Sequence, residues 1–365
     1  MARKIFLILL AASLLAGGAR AGEKPFLTNQ QIQKMDKGRT VYVGRILDDG
    51  GLLLLSQAGR DEGLRLIFVT PSGRVSGRID VPMRQVEYAV PSPDGKKLLV
   101  YSQDRYSFYL LDPARKKWKL LDSRAGARDG FALFGGKKSR FFTSGGALMA
   151  WGYFYDRAGD YVSEWLVRLN LDREGRDLVS RVIEIPALMD ESSRYYPSCT
   201  HVGFLKLQGR YGLFTLTDGD EGCLAGYDTR KGVPFPIEEY SWFGGGDISP
   251  DGTLAAYALR PRVRGAQEVL FVYDLASRLP VMALPGRFFN PVFDPSSRLL
   301  AVGNVVDIMG KPLPPVIRLV PVGGSTGKGG TLTFPENTKL VDWRFVEKKK
   351  LMVLTSDGDI FKMDL

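Results

Sequence analysis

The chain has 365 residues with a formal net charge of +10, one histidine and two cysteines. Its basic and acidic residues are well mixed and no Lys/Arg block is interleaved with aromatic residues, which argues against nucleic acid as a partner. A metal centre built from several histidines is excluded, and no Gly-x-Ser-x-Gly elbow, P-loop or Cys-x-x-Cys-His haem motif occurs.

Residues 1–21 have the pattern of a signal peptide. Arg3 and Lys4 precede an apolar run at 5–15, which is too short to span a bilayer, and residues 19–21 match a small-x-small cleavage site. Cleavage would remove three basic residues and lower the net charge from +10 to +7. We therefore expect export to the periplasm or the extracellular space with no integral membrane span; the alternative is an uncleaved anchor.

Residues 22–38 form a lead-in segment. Thr28 and Gln31 have capping-box spacing and predict a short helix at 29–35. A strand that closes the fold from this end is the other prediction for the segment.

The rest of the chain, 39–365, consists of repeated units. In the stretch 247–277, the turn Ser-Pro-Asp-Gly at 249–252 separates two apolar, aromatic runs of strand length, and Asp274 opens a second turn. Comparable units begin near residues 40, 86, 131, 202, 247, 291 and 340. Each unit predicts a four-stranded antiparallel meander.

The spacing of the turns that follow the third predicted strands supports a ring of such units. These turns lie near Thr70, Asp112, Asp172, Asp228, Asp274 and Pro321. Their separations of 42, 60, 56, 46 and 47 residues indicate a period of about 45 with two insertions, which is the blade period of a β-propeller. We predict an all-β fold, a single propeller of seven four-stranded blades, with six or eight as alternatives. An N-terminal strand would close the last blade.

The units resemble blades of the TolB-type, WD-repeat-like propeller family. The resemblance rests on Ser-Pro-Asp-Gly at 92–95 and 249–252, on Asp-Pro-Ser-Ser at 294–297, and on strands that end in Tyr-Asp at 227–228 and 273–274. The Gly-His and Trp-Asp signature of eukaryotic WD repeats is missing. The resemblance implies an exported bacterial propeller and little about function.

Connections in such a meander alternate between the two faces of the disc. We call the face that carries the second-to-third connections and the links between units the long-loop face, and the other the short-turn face. The long predicted connections, 143–163, 186–200, 259–267 and 303–315, all fall on the long-loop face. Binding usually resides in long loops on a rigid scaffold, so this face is the predicted working surface.

An aromatic and charged insert is the first candidate site on that face. It contains Trp151, Tyr153, Tyr155, Asp156 and Arg157. Exposed aromatic residues with charged neighbours suit sugar rings or a protein partner. The alternative is a loop that packs its own aromatic side chains together.

Two further groups on this face are candidates for ligand or partner binding. Arg260, Arg262 and Arg264 would point the same way in an extended segment and could bind a carboxylate or phosphate, or simply be solvated. Tyr195 and Tyr196 lie in the 186–200 connection.

A weak calcium site and a disulfide are the remaining predictions. Asp218, Asp220 and Glu221 offer oxygen ligands at alternate positions, but their spacing does not complete an EF-hand loop and favours the alternative, a plain acidic turn. Cys199 and Cys223 form a pair that an oxidising compartment would favour as a disulfide, with two buried thiols as the alternative.

The main functional hypothesis from these residues is a non-catalytic propeller without a cofactor. It would bind an envelope protein or glycan through the long-loop face, as a monomer or as part of a complex. One alternative is a lactonase- or lyase-like propeller enzyme that acts on sugars with acidic residues or calcium in the channel mouth. Another is an architectural subunit of an envelope complex.

Overall fold

A computed structural model describes the chain from residue 24 onward. Within 24–365 the residues that it does not describe are 48, 60–62, 82–85, 92–96, 103–106, 113–116, 124–130, 134–141, 145–146, 156–160, 171–178, 186, 189–190, 192–200, 219–220, 241, 261–267, 307–311, 323–328, 336 and 348–349. The predicted signal peptide lies outside the described residues. None of the helices in the described part is both long enough and apolar enough to cross a membrane.

The regular structure of the described residues begins with a short helix, which is followed by β-strands. The helix is α1 (Asn29–Lys34). The strands are β1 (Thr40–Ile46), β2 (Leu52–Gln57), β3 (Arg65–Val69), β4 (Val75–Asp80), β5 (Val86–Pro91), β6 (Leu98–Ser102), β7 (Ser107–Asp112), β8 (Lys117–Ser123), β9 (Phe131–Leu133), β10 (Phe142–Ser144), β11 (Ala147–Tyr155), β12 (Tyr161–Leu169), β13 (Val179–Glu184), β14 (His201–Gln208), β15 (Tyr211–Asp218), β16 (Glu221–Asp228), β17 (Val233–Tyr240), β18 (Trp242–Ile248), β19 (Leu254–Arg260), β20 (Val269–Asp274), β21 (Leu279–Pro285), β22 (Arg287–Phe293), β23 (Leu299–Val306), β24 (Pro312–Pro321), β25 (Gly330–Thr333), β26 (Leu340–Glu347), β27 (Lys350–Thr355) and β28 (Ile360–Asp364).

These strands pair with their chain neighbours into antiparallel meanders. In the described residues the sheets are β1–β4, β5–β8, β9–β13, β14–β17, β18–β21, β22–β25 and β26–β28. The predicted fold class, an all-β propeller, is confirmed, while the number of blades stays a prediction.

The hydrophobic core lies between neighbouring sheets rather than at one centre. One cluster joins the fifth and sixth sheets, for example through Leu270 and Leu300. Another joins the last sheet to the first, since Val346 and Met352 pack with Leu52 and other residues of β1–β3. Each sheet therefore buries its faces against its neighbours, and the ring is closed by apolar packing.

The first strand of each sheet lies innermost. Lys206 in β14 contacts Asp247 in β18 (Nζ to Oδ1, 3.0 Å), and Asn290 in β22 donates to Asp342 in β26 (3.3 Å). The fourth strands, by contrast, have alternating exposed side chains, as in β4 and β21. The first strands of these successive sheets thus meet around the axis and line the central channel of the propeller.

The lead-in segment joins the last sheet to the first. The predicted helix is confirmed as α1, with both capping-box bonds between Thr28 and Gln31. The predicted closing strand is reduced to one bridge, in which Leu27 and Ile360 exchange two backbone hydrogen bonds of 3.2 and 2.9 Å. Asp36 then anchors the segment, because its buried carboxylate accepts from the Arg65 guanidinium at 2.9 Å.

The repeated aspartates hold the turns. Asp251 accepts from the backbone N–H of Thr253, and Asp294 accepts from the backbone N–H groups at 298 and 299. Asp274 does the same for the backbone of Ala276 and Ser277 in a third-to-fourth turn. Short carboxylates that bond their own backbone explain why aspartate recurs at these points of the repeat.

The third unit differs from the predicted four-stranded meander. β9 and β10 both pair with the same side of β11 and together occupy the first-strand position, so this sheet has five strands. The second strand is Ala147–Tyr155, inside the predicted insertion 143–163, and it forms a long hairpin with β12. The run 147–155 is itself apolar and of strand length, so it pairs instead of looping out.

The predicted loop at 303–315 is also largely wrong. β23 continues to Val306 and β24 begins at Pro312, and these two residues pair directly. The connection from Glu184 to His201, close to the predicted 186–200, is the longest between consecutive strands of the described chain.

Candidate functional site

The aromatic candidates lie in a strand. Trp151 pairs opposite Leu166 in the β11–β12 hairpin, and Tyr153 pairs opposite Glu164. Tyr155 follows a bulge near the end of β11. Their prediction as loop residues is therefore wrong, since a strand positions them by its register. Asp156 and Arg157 lie outside the described residues.

The acidic candidates lie at the tip of a tight hairpin. Asp218 at the end of β15 pairs directly with Glu221 at the start of β16, so only two residues separate these strands. Asp220 lies outside the described residues. In the part of the chain that the structure describes, no three His, Cys, Asp or Glu residues come together as a metal site. Calcium binding stays a prediction.

The structure describes one of the two cysteines of the predicted disulfide. Cys223 lies in β16 opposite Leu216 and is half-buried, whereas Cys199 lies outside the described residues. The disulfide stays a prediction.

Arg260 is the arginine candidate that the structure places. It ends β19 on the long-loop face, while Arg262, Arg264, Tyr195 and Tyr196 lie outside the described residues. Its side chain is exposed and contacts a carboxylate that sequence reasoning did not single out.

That carboxylate belongs to Glu268, which holds two arginines from neighbouring sheets. Arg260 Nε lies 3.5 Å from Glu268 Oε1, and Arg287 Nε, at the start of β22, lies 3.4 Å from Oε2. The Glu268 side chain is 16% exposed, against 58% and 43% for Arg260 and Arg287. We call these three residues the rim cluster. The half-buried Glu268 carboxylate thus forms ion pairs with two guanidinium groups and offsets their repulsion, and the cluster presents a net positive charge to solvent.

The backbone link between the two sheets builds this arrangement. Gly286 joins β21 to β22 with a φ of 133°, and its N–H donates to the Glu268 carbonyl at 2.8 Å. A Cβ at this position would lie 3.1 Å from the Phe288 ring, so glycine is required by both conformation and space. Arg287 follows at once, which places its side chain beside Glu268. The sequence signal that could have found it is the glycine just before an arginine that begins a strand.

Asn304 is buried behind the same link. The residue is 1% exposed, and its Oδ1 has no hydrogen-bond partner among the described residues. Its Nδ2 would lie 3.4 Å from a Cβ on Gly286. A second polar group therefore lies close behind the rim cluster.

Further along the channel, the first strands of three neighbouring sheets carry bulges. The register shifts at Gly244–Gly245 in β18, at Asn290–Pro291 in β22 and at Val341 in β26. Asn290 has a left-handed φ of 47°, which asparagine tolerates better than most residues. A Cβ on Gly245 would lie 3.4 Å from the Asn290 backbone.

The bulges bring an amide and a carboxylate together, which we call the channel pair. Asn290 Nδ2 donates to Asp342 Oδ1 at 3.3 Å, and the Trp343 N–H donates to the same oxygen at 2.9 Å. Asp342 is exposed although it lies in the first strand of its sheet. Bulges that re-aim side chains are frequent beside functional sites.

Comparison with solved structures finds two oligogalacturonate lyases of similar fold. One, solved in complex with manganese, has a TM-score of 0.52 and 10% identity, and the alignment covers 89% of each chain. The other, from Vibrio parahaemolyticus, has a TM-score of 0.56 and 10% identity over 88% of this chain and 89% of that one. TolB from Acinetobacter baumannii aligns with a TM-score of 0.41 and 16% identity over 90% of this chain and 64% of its own. No family model and no curated protein matches the chain.

These comparisons correct the main functional hypothesis. The prediction of a non-catalytic propeller that binds an envelope protein or glycan is wrong, because the structures of similar fold over most of their length are named as oligogalacturonate lyases. At 10% identity, the comparison with these two lyases shows similarity of the fold alone.

Proposed function

We propose that this protein is a propeller enzyme that cleaves acidic saccharides at the long-loop end of its channel, in the manner of a lyase. The observation that carries the proposal is the rim cluster, in which Glu268 holds Arg260 and Arg287 at the face where the channel opens. Two exposed guanidinium groups from neighbouring sheets suit a sugar carboxylate, which accepts hydrogen bonds from arginine in a fork geometry.

The charge of the whole chain supports an anionic substrate. A net charge of +10, or +7 after removal of the predicted signal peptide, would draw a polyanionic sugar toward the protein. The oligogalacturonate lyases of similar fold act on a sugar of this kind by their names.

The chemistry of uronate cleavage shows what the arginines would contribute. Elimination transfers the proton next to the sugar carboxylate to a base, forms a carbon–carbon double bond and breaks the bond to the leaving oxygen, which takes up a proton from an acid. Negative charge develops on the carboxylate oxygens as the proton leaves, and guanidinium groups placed there lower the barrier. Glu268 would act as a positioning residue, since it holds both guanidinium groups.

Ultraviolet absorbance of the unsaturated product on incubation with oligogalacturonate tests the proposal. We expect activity in the wild type and a loss of about ten-fold or more in Arg260→Ala and Arg287→Ala. Arg230→Ala is the matched control, because Arg230 is an exposed arginine in the β16–β17 turn on the opposite face. Parallel runs with calcium and with chelator test the predicted calcium site. Absence of cleavage of oligogalacturonate and other uronate oligomers under all these conditions would refute the proposal.

The family and the location of the protein belong to the same proposal. We infer a TolB-type, exported propeller, because aspartate-held turns recur at Asp251 and Asp294 and the N-terminal residues match a signal peptide. A periplasmic or extracellular enzyme would meet saccharide fragments directly. Fractionation of the native cells, followed by N-terminal sequencing of the mature chain, tests the cleavage before Gly22.

A further inference from the structure

We propose that the channel pair, Asn290 and Asp342, is a second sugar subsite, so that the protein binds an oligosaccharide that runs from the rim cluster into the channel. This inference rests on the proposed function, because it assumes that an acidic saccharide is the ligand. It adds where the second sugar unit of that saccharide lies and that this unit is held through its hydroxyl groups.

The strand β22 sets the spacing between the two subsites. Arg287 begins this strand and Asn290 lies three residues further along it. At about 3.3 Å per residue as an upper limit, because the register shifts between Arg287 and Phe288, the two Cα atoms lie within about 10 Å of each other. A sugar whose carboxylate contacts Arg287 therefore leaves room for a neighbouring unit beside Asn290.

The hydrogen bonds of the channel pair leave one carboxylate oxygen of Asp342 as an acceptor for the second sugar unit. Both the Asn290 Nδ2 bond and the Trp343 N–H bond end on Oδ1 of Asp342, and no bond from a described residue reaches Oδ2. A carboxylate oxygen only accepts, and its charge disfavours a second carboxylate nearby. Sugar hydroxyls are the donors that suit it.

The glycines of β18 leave space for the ring. Residues 244–246 are three consecutive glycines in an innermost strand, and Gly245 has a φ of 105°. Side chains are thus missing from the channel wall next to Asn290, where a glycine in a strand often marks the close approach of a ligand. The left-handed backbone of Asn290 is a local strain that the surrounding bulges maintain.

Binding of galacturonate and of trigalacturonate, measured by calorimetry, separates the two subsites. In Asp342→Ala and Asn290→Gly we expect trigalacturonate affinity to fall about ten-fold or more, with galacturonate affinity within about two-fold of wild type. Glycine is used at 290 because it accepts the left-handed φ. Asp364→Ala is the matched control, since Asp364 is an exposed aspartate at the short-turn end of the same sheet.

Each result decides the question. Equal trigalacturonate affinity in wild type and both variants, or an equal loss for the monomer and the trimer, would overturn the second subsite while leaving the proposed function intact. A wild-type protein that binds neither ligand would overturn the proposed function, and this inference with it. Urea unfolding is the folding control for each variant. An unfolding midpoint equal to that of the wild type shows that the variant's propeller is folded.

Discussion

Replacement of Asp228 by asparagine tests how the repeated aspartates stabilise the propeller. Asp228 ends β16 and is 1% exposed. It accepts from the Arg210 guanidinium, with Nε at 2.8 Å, and from the backbone N–H groups of Arg230 and Lys231 at 3.0 and 3.3 Å. Asparagine keeps the size of the side chain and removes the charge that these donors share.

The magnitude follows from the pKa of this carboxyl. The hydrogen bond from Arg210 is the largest cause that lowers the pKa of Asp228 from 3.8 to about 2, against the opposing effect of burial. A shift of this size corresponds to about 2 kcal/mol of folding free energy at neutral pH. Arg210 keeps 34% of its side chain exposed, so its charge stays hydrated when the partner is lost. We therefore expect Asp228→Asn to lose about 2 kcal/mol.

The sign of the pH dependence is set by the lowered pKa. Because the folded pKa of Asp228 lies below its unfolded value of 3.8, the stabilisation is fully present above about pH 4 and is lost as the pH falls through about 2. The difference in unfolding free energy between wild type and Asp228→Asn should be constant from pH 7 to about 5 and should shrink below pH 4.

Urea unfolding followed by tryptophan fluorescence at several pH values measures this difference. Asp274→Asn is the comparison variant, because Asp274 has the equivalent place in the fifth sheet and its pKa is lowered chiefly by the backbone hydrogen bond from Ser277. It should lose less stability than Asp228→Asn. Equal losses in the two variants, or a difference that does not change with pH, would refute the reasoning from the Arg210 contact.

Two further predictions concern packing and the cysteines. Gly226→Ala places a Cβ directly against the Phe235 ring, so we expect a loss of about 1–3 kcal/mol in urea unfolding and partial rescue by Phe235→Leu. Wild-type stability in the single variant would contradict the tight packing. If Cys199 and Cys223 form the predicted disulfide, thiol titration of the denatured, unreduced protein should detect no free thiol, whereas two thiols would show that the pair does not form.

Local signals predicted the repeat well because they act over a few residues. The capping box of α1 and the aspartate turns at Asp251, Asp274 and Asp294 form within five residues of chain, so their chemistry is visible in the sequence. The third unit was misread for the opposite reason. Its first strand is split into β9 and β10, and only pairing with β11 shows that the two pieces occupy one position.

The sequence by itself determined the class of fold, since a period of about 45 residues with turns at fixed places leaves few architectures other than a propeller. It also pointed to the long-loop face and to Arg260. Only the tertiary structure brought Arg287 to Glu268 and Asn290 to Asp342, the latter pair being 52 residues apart in the chain. Such contacts join different sheets, and they depend on bulges and on the packing of neighbouring strands. No local pattern of residues encodes the bulges or the packing between sheets. The residues of the candidate site could therefore be brought together only by the tertiary structure.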